Sequence, residues 1–486
     1  MEKAKIDNGV KVASGLFWSF GERICAQLVS TIVTIVLARL LSPDHYGAIS
    51  LVTVFISICN VFVSSGFGSS IVQKRTVDSK DYNTAFWLSL SISGILYILL
   101  FIGAPLISQF YTMPELKWVI RVMALRLPIA SINTIQQAFV RREMKFKKFF
   151  LATLAGTVIS GFVGIGLAYA GAGVWALVFQ YLTNTCIDTI VMCFVCGWNP
   201  RFQYSAQSAK EIFSFGWKVL ATDLVSTAES NIRSLIVGKV FGPSDLAYYD
   251  QGMKYPGLLV NNINSSINKV MLPAYSQSQD NLIQLKNMLR KSIQIGMFLL
   301  APVLLGFFAV SKAFVILLLT DKWIASVPFI QIFCVVYLLR PLETSCHQAV
   351  LGIGRSDVAL KIMVVINSVA LVTVLIAVFY FENVYMIALG SLLSSIVSVL
   401  CFIGATGKLL KYTVREQFAD VFESLFPAVL MSGFVYSVGS LSTLSALPTL
   451  FLQIVLGCIT YVILTLLFRN RTLVYFIGLI KGRKRG

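Results

Sequence analysis

The chain carries apolar runs longer than a globular core helix needs: residues 26–41, 88–107, 297–319 and 358–381. A bilayer-spanning helix takes roughly 20 consecutive, mostly apolar residues. In lipid every backbone polar group must be paired inside the segment, which a helix does by itself. Of the 486 residues, 57% are apolar and 13% charged, where a water-soluble domain carries about 45–50% and about 25%. These features predict an all-α polytopic membrane protein. A transmembrane barrel would show alternating strands of about 10 residues, and that pattern is absent. A soluble enzyme, a disulfide scaffold and a disordered chain are excluded with it.

Apolar runs and their polar breaks give about fourteen spans: 12–41, 46–66, 84–110, 116–140, 149–170, 173–197, 212–241, 246–272, 289–319, 324–351, 357–380, 383–407, 424–440 and 447–468. The formal net charge of +18 would suggest nucleic acid in a soluble protein. With the N-terminus inside, however, twenty-seven basic residues fall in cytoplasmic segments and four (Arg39, Lys117, Lys239 and Lys322) in outer turns. That is the positive-inside bias of a membrane protein, and it predicts both termini on the cytoplasmic side. It accounts for most of the charge without a nucleic-acid partner. The loops are too short for a soluble catalytic domain.

All nine cysteines fall within these spans, so they read as packing residues. Cys193-Phe-Val-Cys196 has CxxC spacing, but no second pair or histidine cluster accompanies it. The charged arm before the first span is not followed by a small-residue cleavage site, so a retained first helix is expected. The chain also repeats itself. Leu37-Ala-Arg-Leu-Leu-Ser-Pro-Asp-His-Tyr-Gly47 matches Val237-Gly-Lys-Val-Phe-Gly-Pro-Ser-Asp-Leu-Ala247 at an offset of 200, and Gln137-Ala-Phe matches Gln348-Ala-Val at an offset of 211. The expected organisation is a six-helix lobe over 1–199, a second over 200–410, and a terminal helix pair with a basic tail over 411–486. Parallel repeats of this kind build alternating-access transporters, with the site between the halves near the midplane.

Nine basic residues remain inside spans: Arg23, Arg121, Arg126, Lys218, Arg233, Lys254, Lys269, Lys312 and Arg340. Six acidic ones join them: Glu22, Asp188, Asp223, Glu229, Asp250 and Glu343. A charge near a helix centre costs about 2.5–3.5 kcal/mol on insertion scales, so it persists where it pairs, snorkels or lines a wet cavity. Lys218, Lys269, Lys312 and Arg121 lie near span ends, where snorkelling accounts for them. The others stand at helical spacing. Ser19, Arg23, Gln27, Ser30 and Thr34 share a face of the first span; Arg126, Asn133 and Gln137 do so in the fourth. Thr222, Ser226, Glu229, Ser230 and Arg233 line the seventh span, and Asp250, Lys254, Asn261, Asn264, Ser265 and Asn268 the eighth. In the tenth, Arg340, Glu343, Thr344 and His347 share a face.

Isolated salt bridges would account for Glu229–Arg233 and Asp250–Lys254, but not for amide and hydroxyl stripes on helices of both halves. The stripes predict a polar interior. Its candidate substrate-binding residues are Arg23, Gln27, Arg126, Asn133, Gln137, Arg233, Lys254, Asn261 and Arg340. Glu22, Asp223, Glu229, Asp250 and Glu343 either pair those charges or carry a coupling cation. Arginine matches phosphate oxygens in two-pronged fashion, and amides suit sugar hydroxyls. Prolines 128, 256, 302 and 341 and glycines 156, 161, 164 and 166 mark expected bends and close helix contacts. There is no catalytic constellation, metal-ligand set or cofactor motif. Gly352-Ile-Gly354 lacks the length of a phosphate loop, and His347 reads as a cavity or packing residue.

The motif at 37–47, after a long first helix, resembles the signature of the polysaccharide transport (Wzx-type) flippases of the multidrug/oligosaccharidyl-lipid/polysaccharide exporter superfamily. Arg141-Arg-Glu-Met-Lys-Phe146, Gly171-Ala-Gly-Val-Trp-Ala-Leu177 and Val270-Met-Leu-Pro-Ala-Tyr-Ser276 are similar to further patterns of its colanic-acid and teichuronic-acid exporter branch. The resemblance implies a bacterial inner-membrane flippase, not an enzyme. It would move undecaprenyl-diphosphate-linked oligosaccharide outward for exopolysaccharide or lipopolysaccharide biosynthesis. Lipid-linked oligosaccharide, membrane lipids, and polymerase or glycosyltransferase components of the same pathway are its implied partners. Among rival readings, a drug/cation antiporter would favour an acidic, aromatic cavity, whereas the in-span charges here lean basic. A lipid II flippase differs only in cargo. An O-antigen-type polymerase or ligase would carry a large outer loop, and the outer turns here are short.

Overall fold

A computed structural model describes residues 21, 25–64, 68, 70–71, 74, 77–143, 146–278, 281–442 and 445–474. The expected site residues Glu22 and Arg23 lie outside these residues. The described chain is helical throughout, without strands. It divides into two compact units, Met1–Ala247 and Tyr248–Gly486.

The first unit holds α1 (Cys25–Leu40), α2 (Pro43–Ser64), α3 (Ser79–Phe110), α4 (Leu116–Met123), α5 (Arg126–Arg142), α6 (Phe146–Tyr169), α7 (Val174–Cys196), α8 (Ala206–Val240) and the first turn of α9 (Pro243–Gln277). Pro43 and Pro243 open α2 and α9, where the missing N–H is not needed by the helix. Gly197 ends α7 in the left-handed region at φ +78°, a conformation that glycine adopts without strain. Most extensive is the packing of α6 on α7. A Cβ on Gly156 would stand 3.1 Å from the Asn184 carbonyl, and one on Gly164 2.9 Å from the Gln180 side chain. These two glycines therefore set the α6–α7 spacing. Gly161 meets Val33 of α1 in the same way, whereas nothing lies within 4 Å of Gly166, which has no close-packing role.

The second unit holds the rest of α9 and then α10 (Leu282–Phe314), a π turn and a 3-10 turn, α11 (Val327–Leu338), α12 (Arg340–Gly352), α13 (Ser356–Ile376), α14 (Val384–Leu410), α15 (Val414–Leu441) and α16 (Ala446–Leu467). Its core is the stripe Leu285, Leu289, Ile293, Met297, Leu300 and Leu304 of α10, spaced at the helical period. The stripe shares one core with residues of α12, α14 and α15. Elsewhere, large apolar side chains stay open to the outside, such as Leu371 and Phe379 after α13 begins and Phe451 and Ile463 on α16. A bilayer covers such faces.

Eleven stretches of the described chain are long and apolar enough to cross a membrane. The other three expected spans fall on α1, which has only its Cys25–Leu40 part described, and on α8 and α9, whose polar stripes dilute their hydropathy. Two expectations change. Helix α10 begins at Leu282 rather than 289, so Lys286 sits on the helix together with Arg290 and Lys291. The spans expected as continuous over 116–140 and 324–351 are each broken, into α4 and α5 around residues 124–125 and into α11 and α12 at Leu339. Arg126 and Arg340 are the first residues of the helices that resume, with Pro128 and Pro341 just after. Proline disfavours helical geometry before it and donates no N–H, which explains the break at both places. Pro302 and Pro256 instead lie inside continuous helices.

Candidate functional site

In the first unit α5 meets α7 through a ladder of polar contacts. Arg126 Nε donates to Thr185 Oγ1 at 3.0 Å, and the guanidinium lies 5.1 Å from the Tyr181 ring centre. One turn further along, Thr189 Oγ1 donates to the Ile129 carbonyl at 3.3 Å. Asn133 Nδ2 then donates to Asp188 at 2.7 Å, and Gln136 reaches Cys193 Sγ at 3.2 Å. Asn133 thus holds an in-span carboxylate in place, and the thiols of the CxxC pair are packing partners of Gln136. At the Arg126 end of the ladder, α1, α5, α6 and α7 line an open cavity of about 400 Å³. Two expected site residues, Gln27 and Arg126, line it together, beside Ser30, Ser160, Gln180 and Asn184. Gln137 sits half-buried lower on α5.

Helix α12 of the second unit carries Arg340 ion-paired to Glu343 at 3.7 Å. Ser398 Oγ of α14 donates to the same carboxylate at 2.9 Å, and His347 presents its ring edge-on to Phe402 at 5.4 Å. On α9, Lys254 and Asn261 are exposed side chains in mid-helix, with half-buried Asp250 acting on Lys254 electrostatically. On α8, Arg233 and Asp223 are half-buried and Glu229 exposed. No ion pair joins Glu229 to Arg233 among the described residues, so the salt-bridge account of that pair falls away.

The ladder and cavity depend on residues that the search for charged stripes passed over. Gln180, Tyr181, Asn184 and Thr185, with the in-span acid Asp188 already noted, form a polar face on α7, legible at i, i+4 spacing but masked by an otherwise apolar helix. A second missed cluster ties α15 to α10. Asp420 accepts from Arg290 at 2.7 and 2.9 Å, from Gln294 at 2.7 Å and from Tyr412 at 2.6 Å. Lys286 pairs with Glu416 at 2.9 Å. The two copies of the offset-200 motif also touch. Ser244 Oγ donates to Asp44, and Gly47 lies so close to the Pro243 backbone that any Cβ there would collide with it. Nearby Tyr111 donates to the Leu235 carbonyl at 3.4 Å, and Lys239 to that of Phe110.

The bundle has the fold of the lipid II flippase MurJ in its inward closed conformation, with a TM-score of 0.73 at 12% identity, covering 96% of this chain and 100% of that one. An inward-facing MATE multidrug transporter of the MOP superfamily is similar too: TM-score 0.62, 17% identity, 79% and 96% of the two chains. Residues 36–328 match the family described as polysaccharide biosynthesis protein, and the chain belongs to that family. Among its relatives, the teichuronic acid biosynthesis protein TuaB of Bacillus subtilis is 23% identical over 352 residues, 72% of this chain and 73% of that protein. The lipopolysaccharide biosynthesis protein WzxC of Escherichia coli is 23% identical over 357 residues, 72% of each. The succinoglycan biosynthesis transport protein ExoT of Rhizobium meliloti is 20% identical over 354 residues, 72% of this chain and 71% of that protein.

Proposed function

We propose that the protein is a flippase that carries lipid-linked oligosaccharide repeat units outward across the bacterial inner membrane by alternating access. The observation that carries this reading is the pair of broken helices. Once in each unit, an apolar span stops and a new helix begins on an arginine, Arg126 or Arg340. Interrupted helices whose fresh N-termini meet an anionic group are how transporters bind charged cargo at membrane depth. The names of TuaB, WzxC and ExoT support a polysaccharide cargo. The cargo chemistry fits as well: arginines for the diphosphate, and amides and hydroxyls for the sugars. On this reading the lobes are 1–199 and 200–410, a terminal helix pair follows over 411–486, and both termini are cytoplasmic. The protein makes and breaks no covalent bond. Glu343 and Asp250 keep the basic site near neutrality or take up a coupling cation.

A deletion strain tests the proposal. Lipid-linked oligosaccharide should accumulate on the inner leaflet and surface glycan should disappear, both reversed by the intact gene. Arg233→Ala or Lys254→Ala should fail to restore export although the protein inserts at normal levels. A deletion strain that displays its surface glycan normally refutes the assignment.

A further inference from the structure

We infer that the lipid-facing side of α3 and α4 holds the headgroup of one anionic phospholipid, with Arg121 and Lys117 at its phosphate beside the Trp118 indole. The inference is independent of the cargo and of which side of the membrane this end of the two helices faces.

The site begins with a proline. Pro105 lies inside α3 and brings no N–H, so the Phe101 carbonyl, four residues earlier, loses its partner within the helix. At membrane depth such a group must be paired by something else. Arg121 of α4 supplies the bond: its Nε donates to the Phe101 carbonyl at 3.1 Å. The guanidinium then lies 4.2 Å from the Phe101 ring centre and 5.0 Å from that of Trp118. A hydrogen bond and two cation–π contacts hold it in place, and the bond uses one of its three nitrogens. Every residue from 77 to 140 is described. Among the described residues no carboxylate, Glu115 included, pairs with Arg121 or Lys117, and no acceptor meets the two terminal nitrogens of Arg121. Those nitrogens are the prong that matches two phosphate oxygens.

The surroundings say what carries the phosphate. Lys117 Nζ lies 5.7 Å from the same indole, so two cations share one ring, more positive charge than a zwitterionic headgroup answers. Trp118 is 55% exposed, as suits an indole at the boundary between lipid and water. Arg121 follows the first residue of α4 by five positions, a descent of about 7.5 Å, from which its side chain reaches the headgroups. Phe101 borders an exposed apolar face of α3 made by Ile98, Ile102 and Leu106. That face gives an acyl chain a bed, for which a free phosphate has no use.

The test places the full chain in phosphatidylcholine vesicles that contain a minor share of brominated phosphatidylglycerol or of brominated phosphatidylcholine. Bromine quenches tryptophan at contact, and the share due to Trp118 is the difference from Trp118→Phe. Phosphatidylglycerol should be preferred at Trp118 by about 25-fold, from about 5-fold for each cation. Arg121→Gln and Lys117→Gln should each remove about 5-fold of that preference, whereas Lys312→Gln, in the second unit, should leave it unchanged. Arg121→Gln also strands the Phe101 carbonyl, and adding Pro105→Ala gives that carbonyl a helical donor again. The double variant should regain the heat resistance of the parent while still lacking the arginine's share of the preference, an outcome that a purely structural Arg121 would not give. Lys117→Gln leaves the carbonyl bond alone and gives its own reading should the arginine variants fail to fold. Equal quenching by the two lipids, a preference that survives Lys117→Gln or the double variant undiminished, or a quench that inorganic phosphate in the buffer abolishes overturns the inference.

Discussion

Replacing Asp420 by leucine should destabilise the second unit by about 3–4 kcal/mol. Asp420 is 1% exposed and accepts four hydrogen bonds from three side chains. Its removal leaves the buried Tyr412 hydroxyl and the half-buried Gln294 amide without this acceptor, at about 1–3 kcal/mol for the first and toward the lower end of that range for the second. Arg290 loses its two-pronged partner, but its side chain is 27% exposed and Glu416 remains 3.9 Å away. Solvent and the second carboxylate hold that loss near the exposed-pair value of about 1 kcal/mol. Burying the leucine returns roughly 1–2 kcal/mol of apolar transfer. The unfolding free energy in micelles, followed by denaturant titration, measures the net effect. The reasoning makes a second demand. Combining Asp420→Leu with Arg290→Met, Gln294→Leu and Tyr412→Phe removes the stranded groups and should recover most of the loss, since apolar replacement of a whole buried polar cluster is often neutral. A single variant within 1 kcal/mol of the parent, or a combined variant no better than the single one, refutes the view that this network fastens α15 to α10.

At the touching motifs, Gly47→Ala should cost about 1–3 kcal/mol of overpacking, because its methyl group would lie inside the Pro243 carbonyl. Heat resistance equal to the parent's would show that the close approach is not real. Asp44→Cys with Ser244→Cys should cross-link under mild oxidation, and on the alternating-access reading export should stop until a reductant is added; unimpaired export by fully cross-linked protein would remove this contact from the transport cycle. Ahead of α8, Lys74 bonds both Asp81 at 2.9 Å and Glu211 at 3.0 Å. The Asp81 carboxylate holds Lys74 above its ordinary value, and the Lys74 ammonium holds Glu211 below its own. The glutamate contact is therefore present above the usual carboxylate range and lost as pH falls through the lowered one; the lysine's contribution is lost only above its ordinary alkaline range. Trp87, which stacks on Phe202 in the preceding segment, should report the acid step by fluorescence, and Glu211→Gln should abolish it.

The fold class was legible because the bilayer imposes one rule along the whole chain: apolar length. The rule fails where a helix does two jobs. Helices α8 and α9 carry so many polar groups that their hydropathy drops below that of the other spans, and they were found by stripe rather than by run. Arg126 and Gln27 were legible for the same reason, since each repeats along its own helix, and the cavity brings them together. What periodicity cannot show is a partner 130 residues away, as Asp420 is from Arg290. Nor does it see charges where a helix extends beyond its apolar stretch, which is how Lys286 came to lie outside the expected span. The breaks before Arg126 and Arg340 lie between these cases. Each Arg-Pro neighbourhood was visible as a bend signal, but only the backbone shows that both spans restart there. The two arginines then part company. Glu343, one turn along α12, neutralises Arg340, whereas the residue one turn after Arg126 is Ile129 or Ala130, and neither brings a charge. Both spans restart on an arginine, and among the described residues only Arg340 gains a carboxylate one turn on.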